Sequence, residues 1–158
     1  MKILEPLFKK VISQLVESNV RFLLIGGYAV NYHGYGRYTG DIDFWIMPDN
    51  ENKLLLLDAF RKLGRNTDDI DTISQLDFTQ PQTIFMGEPP LRIDFLTKVN
   101  IVDFNEAWEK RIEWPLENIL VPVVDYEHLI LSKISTGRTK DKLDLEELQK
   151  INRLSGKK

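Results

Sequence analysis

Three aspartates and a pair of glycines are the residues of this chain whose types and spacing best suit chemistry. In Asp41-Ile42-Asp43-Phe44-Trp45-Ile46, the two-residue period of a strand sends Asp41 and Asp43 to one face and Ile42 and Phe44 to the other. Two carboxylates on one face repel each other unless a cation or a proton lies between them. Hard divalent ions such as Mg2+ prefer oxygen ligands and are commonly held by one or two carboxylates together with substrate phosphates. Strand alternation separates the two carboxylates by on the order of 7 Å, a span that suits two ions about 3.5 to 4 Å apart. Asp94 stands in a later apolar run, Leu91-Arg92-Ile93-Asp94-Phe95-Leu96. An aspartate between Ile93 and Phe95 is costly to bury without a partner, so Asp94 is expected to face a site.

The glycines supply the second half of such a site. Phe22-Leu23-Leu24-Ile25 is a short apolar run halted by Gly26-Gly27, the pattern of a buried strand ending in a turn. Two residues without side chains let a ligand approach the backbone. If Tyr28 to Tyr32 turns helical, the free N–H groups of its first turn favour an anion over the glycines, and a phosphate suits that place.

Gly26-Gly27, a gap of thirteen residues, then Asp41-Ile42-Asp43 is similar to the signature of the polymerase-beta-like nucleotidyltransferase superfamily. Within it, Gly-Gly-Tyr-Ala-Val-x-x-His-Gly-x-x-Arg-x-Thr-x-Asp-Ile-Asp, read from Gly26 to Asp43, resembles the small bacterial nucleotidyltransferases related to abortive-infection and toxin–antitoxin proteins (AbiEii-like, minimal nucleotidyltransferases). The resemblance implies an α+β fold, with a central mixed sheet flanked by helices. It also implies a third carboxylate on a later strand, where Asp94 stands. The reaction implied moves a nucleoside monophosphate from a nucleoside triphosphate to a hydroxyl acceptor. Asp41 and Asp43 would hold Mg2+ or Mn2+ on the phosphates, and Asp94 would bind the ion nearest the acceptor and take its proton. Gly26 and Gly27 would hold the terminal phosphates.

Further positions follow from the same likeness. Arg37 and Thr39, in the glycine-rich loop from His33 to Gly40, are candidates for contact with phosphates or ribose, or are solvated loop residues. Lys133 or Arg138 could meet triphosphate oxygens, while Asp141 and Asp144 are expected to pair with neighbouring cations. One departure is plain: Gly27 stands where the superfamily often has serine, so backbone groups must suffice for the phosphate there. Little of the chain lies beyond the catalytic core, so the acceptor site is expected to draw on a second subunit or a partner protein. The acceptor itself stays open between a protein or RNA, as in toxin–antitoxin systems, and an aminoglycoside or lincosamide antibiotic. A non-catalytic nucleotide- or partner-binding protein is the third reading, and three retained aspartates count against it.

The elements that must position these residues read as follows. Leu4, Leu7, Phe8, Val11, Ile12 and Leu15 recur at helical spacing, giving an amphipathic helix that ends near Asn19. Pro48 breaks the Asp41–Ile46 strand, and Asp49 or Asn50 caps a helix from Glu51 to Leu63, stopped by Gly64. The aspartate-rich stretch from Arg65 to Thr79 reads as a solvated loop without chemistry. Gln82 to Met86 and Leu91 to Thr97 form a hairpin. Residues 102 to 114 read as weakly helical, and Asn118 to Asp125 as an edge strand because Pro122 cannot donate to a central ladder. Asp125 caps a helix running to Ile134, and a second helix follows Gly137-Arg138.

A length of 158 residues, 42% hydrophobic and 28% charged, is that of a single globular domain across residues 1–158. The formal net charge of -3 argues against a protein that coats nucleic acid. No cysteine, no signal-peptide pattern and no apolar run of membrane-spanning length together point to a cytoplasmic protein.

Overall fold

The computed structural model describes residues 4–134 and 136–156. Six strands form one mixed sheet in the order β3-β4-β2-β1-β6-β5. They are β1 (Phe22–Ile25), β2 (Ile42–Ile46), β3 (Thr83–Met86), β4 (Ile93–Leu96), β5 (Ile112–Leu116) and β6 (Ile119–Val123). Helices α1 (Pro6–Glu17), α2 (Gly26–Tyr32), α3 (Asn50–Lys62), α4 (Thr67–Ser74), α5 (Phe104–Glu109), α6 (Tyr126–Lys133) and α7 (Thr139–Leu154) surround it. This is the expected α+β fold.

The central strands are apolar because both faces are covered. All four residues of β1 are buried, and in β2 only Asp43 is less than buried. Phe44 packs between Phe22 and Phe95, with ring centroids 5.4 and 5.6 Å away. Helix α1 buries Phe8, Val11, Ile12 and Leu15, its apolar positions falling on one side at i, i+3, i+4 and i+7. It lies against α3, whose N-cap Asp49 accepts the Asn52 N–H at 2.7 Å. Among the described residues no helix is long and apolar enough to cross a membrane.

Three expectations are corrected. The stretch from Arg65 to Thr79 is not a loop throughout, for it contains α4. Asn66 caps that helix, accepting the Asp69 N–H at 2.8 Å. Asp68 and Asp69 lie in its first turn, where carboxylates suit the helix dipole, and Ile70 and Ile73 are its buried anchors. Residues 102 to 114 are helical only over α5. From Ile112 the chain alternates between half-buried and exposed positions as β5. The edge of the sheet is therefore β5 and not β6. Pro122 is accommodated in β6 because its missing N–H falls on the side of β1, where the ladder starts only at the Leu24–Val123 pair. The Val124 N–H, two residues on, donates to the Leu24 carbonyl at 3.1 Å.

Candidate active site

The pairing of β2 with β4 sets the carboxylates. The strands run parallel with Asp43 opposite Asp94, and adjacent residues in neighbouring strands share a face of the sheet. Asp94 is 9% exposed. Asp41 lies one residue before β2, its side chain 46% exposed, and the Ile42 N–H ties this end to the Arg92 carbonyl at 3.1 Å. Asp43 also lies opposite Ile25, the last residue of β1, so the glycine turn meets the carboxylate. Gly26 has φ of +68°, and a Cβ there would overlap Asp43 Oδ2. The absent side chain at 26 is what makes room for the Asp43 carboxylate.

Gly27 opens a second space, and Thr39 fills it. A Cβ at position 27 would overlap Thr39 Oγ1 and lie 2.7 Å from Thr39 Cβ. Thr39, from the loop before β2, brings a side-chain hydroxyl into the space that Gly27 leaves. Thr39 is 8% exposed, and its hydroxyl donates to the Asp41 carbonyl at 3.2 Å.

Charge in the site is finely set. Burial raises the Asp43 carboxyl, and the neighbouring charge and hydrogen bond of Asp94 and the charge of Asp41 add to it against Lys133, so that it is pushed up to about 7. The Arg92 Nη2 donates to Asp94 Oδ2 at 3.2 Å, and its guanidinium lies 3.7 Å from Asp41 Oδ2. Arg92 Nε forms an ion pair with Asp94 Oδ1 at 3.0 Å, yet the two are not aligned as a hydrogen bond, and neither buried atom has a hydrogen-bond partner.

Behind the cavity lies a buried ion network. Lys133 Nζ is 3.1 Å from Asp141 Oδ1 and 3.0 Å from Asp144 Oδ2. The three-residue spacing on α7 aims both aspartates at the end of α6. Arg37 donates to both Asp144 oxygens, at 2.6 and 3.0 Å, and to the Tyr38 carbonyl at 3.0 Å. Arg138 donates to both oxygens of Asp141, at 2.7 and 3.1 Å. Burial would raise the Asp141 carboxyl, but Arg138, Thr136 and Lys133 outweigh it and hold it well below the usual range. Asp144 is lowered in the same way, its burial outweighed by Arg37 and Lys133.

Gly26, Gly27, Arg37, Thr39, Asp41, Asp43, Asp94 and Lys133 all border one cavity of about 230 Å3, together with Arg92, Arg138 and Lys140. A larger hollow of about 400 Å3, beside His33, Tyr126 and Ile151, holds none of the residues expected to do chemistry. The site residue that sequence reasoning missed is Arg92. Its signal was present, since a residue two before Asp94 on a strand points to the same face. Asp43 and Asp94, adjacent and repelling, with one buried oxygen lacking a donor, suit a divalent cation. Yet among the described residues no group of three or more His, Cys, Asp or Glu side chains is arranged to hold one ion. Arg92 stands between Asp41 and Asp94.

By family the chain is a nucleotidyltransferase. The chain belongs to the family described as nucleotidyl transferase of unknown function (DUF2204), which it matches over residues 6–158. No curated sequence is significantly similar to it. Among solved structures it is similar to the lincosamide antibiotic adenylyltransferase LnuA in its lincomycin-bound form, with a TM-score of 0.54 and 14% identity over 96% of this chain and 99% of that one. It is also similar to TM1012 of Thermotoga maritima, a protein assigned as a nucleotidyltransferase, with a TM-score of 0.53 and 13% identity over 91% of each chain. The antibiotic-resistance factor ANT(2'')-Ia follows at a TM-score of 0.51 and 12% identity, covering 94% of this chain and 89% of that one. Membership of an enzyme family replaces the non-catalytic reading.

Proposed function

We propose that the chain, acting as one domain, transfers a nucleoside monophosphate from a nucleoside triphosphate to a hydroxyl acceptor, with Mg2+ or Mn2+ held by Asp43, Asp94 and Asp41. The observation that carries this reading is the Asp43–Asp94 pair: adjacent carboxylates, one driven toward its protonated form, the other with a buried oxygen lacking a donor. An ion bound there would neutralise charge on the phosphates and on the departing pyrophosphate.

The remaining roles belong to the chain's own groups. The backbone at Gly26 and Gly27 receives the terminal phosphates, and Thr39 supplies the hydroxyl beside them. Lys133 has carboxylates on two sides and turns its remaining N–H toward a phosphate oxygen. Arg37, its nitrogens engaged by Asp144 and Tyr38, holds the loop that carries Thr39. The acceptor oxygen bonds to the α-phosphorus as the bond to pyrophosphate breaks, and Asp94 takes the acceptor's proton.

The cavity of about 230 Å3 is smaller than the roughly 300–1,000 Å3 of ordinary ligand sites, which supports an acceptor held partly outside it, and we assign that part to a second subunit or a partner protein. The first acceptor reading is a protein or RNA, as in toxin–antitoxin systems. The second is an antibiotic hydroxyl, supported by the likeness to LnuA, whose structure holds lincomycin. Incubation of the protein with α-labelled nucleoside triphosphates, Mn2+ and either a cell lysate or a panel of antibiotics separates them. Label is expected in one acceptor class and should vanish with Asp94→Asn; label transfer that persists in Asp43→Asn would end the proposal.

A further inference from the structure

We infer that Arg92 is a resident counter-ion, which keeps Asp41 and Asp94 from gripping a divalent ion until nucleotide arrives and then moves off the carboxylates. The inference rests on the metal-dependent reading above and adds an order of events to it. The guanidinium lies 3.0 Å from Asp94 and 3.7 Å from Asp41, where it neutralises the charge that would otherwise draw a cation. A full positive charge at that range also repels an incoming ion, and the interaction is strong wherever water is partly excluded. The grip on Asp94 is imperfect. Arg92 Nη2 bonds one oxygen at 3.2 Å, while Nε lies 3.0 Å from the other without hydrogen-bond alignment, so a metal at that oxygen would displace an ion pair and no hydrogen bond.

Arg92 also has somewhere to go. Its side chain is 40% exposed, and its guanidinium already lies 5.0 Å over the ring of Phe85, which is 51% exposed. A cation held over an aromatic face at the rim of the site can leave the carboxylates without leaving the surface. The triphosphate supplies the anionic charge that makes the exchange favourable: it brings its own cation to Asp43 and Asp94 and offers phosphate oxygens to the displaced arginine.

Mn2+ binding, followed by electron paramagnetic resonance of the free ion, tests this on wild-type protein, Arg92→Gln, Arg92→Met and Arg92→Lys, with circular dichroism confirming that each is folded. Without nucleotide, Arg92→Gln and Arg92→Met are expected to bind Mn2+ at least tenfold more tightly than wild type. Arg92→Lys, which keeps the charge, stays near wild type. Asp43→Asn added to Arg92→Gln should abolish the gain. If a non-hydrolysable nucleoside triphosphate brings Mn2+ to an Asp43-dependent site in wild type, but the uncharged variants bind the ion no better without nucleotide, the role of Arg92 is overturned and the transferase reading stands. Absence of Asp43-dependent Mn2+ binding in every protein, with nucleotide or without, overturns both.

Discussion

Replacing Asp43 by asparagine should stabilise the ion-free protein while removing its activity. Asp43 is forced into partial burial beside Asp94, and its carboxyl moves from 3.8 to about 7. At about 1.36 kcal/mol per pH unit, that displacement corresponds to about 4 kcal/mol. Partial exposure and the coupling with Asp94 reduce the effect to roughly 2 kcal/mol. The sign follows from linkage. The folded chain binds this proton more tightly than the unfolded chain, so stability falls as pH rises from about 4 to about 7 and stays low above that. Asparagine keeps the shape without the charge. In a chain of 158 residues, about 2 kcal/mol corresponds to roughly 4–8 °C in Tm. Scanning calorimetry in the presence of a chelator should therefore show Asp43→Asn melting roughly 4–8 °C above wild type at pH 8. At pH 5, where Asp43 is already protonated, most of that gain should disappear. A variant that melts at or below wild type at pH 8, or gains equally at both pH values, refutes the reasoning.

Three further outcomes follow from the same structure. Lys133→Met leaves Asp144 with only Arg37 and Asp141 with only Arg138 and Thr136, the two carboxylates being 0% and 1% exposed, and should cost about 3 kcal/mol in urea unfolding; a cost below about 0.5 kcal/mol would mean that the network does not hold the helices together. The lowered carboxyls of Asp141 and Asp144 contribute stability that is present above about pH 4 and lost as pH falls below it; a scan of Tm from pH 6 to pH 2 should show that loss, smaller in Asp144→Asn. Gly27→Ser would collide with both the hydroxyl and the Cβ of Thr39 and should weaken nucleotide binding about tenfold, or about 1.4 kcal/mol, by calorimetry; adding Thr39→Gly, which removes both atoms, should recover most of it, and a double variant no better than the single one would show that the two residues do not share that space.

The parts of the site that were legible in the sequence are those written by local pattern. Asp41, Asp43 and Asp94 each interrupt or border an apolar run at strand period, and Gly26-Gly27 halts a strand abruptly, so their gathering at one cavity follows from their neighbours. Asp141 and Asp144 were expected to pair with cations, and they do, because their three-residue spacing puts both on one side of a helix. The strand period put Arg92 on the face of Asp94, but its contact with Asp41 was not legible, since that depends on the register of β2 against β4. The place of Thr39 beside Gly27 depends on the path of a loop, which no periodicity specifies. In α4 the aspartates concealed two anchors, Ile70 and Ile73, whose spacing carried the helical signal. Pro122 misled because a proline is excluded only where a ladder needs its N–H, and the sheet's strand order decides that.

The most direct test of the central claim is calorimetric titration of a nucleoside triphosphate, with and without Mg2+, into wild-type protein and Asp43→Ala. Wild-type protein is expected to bind the nucleotide only with Mg2+, and Asp43→Ala to lose that binding. Binding of equal strength in both proteins, or binding indifferent to Mg2+, would contradict it.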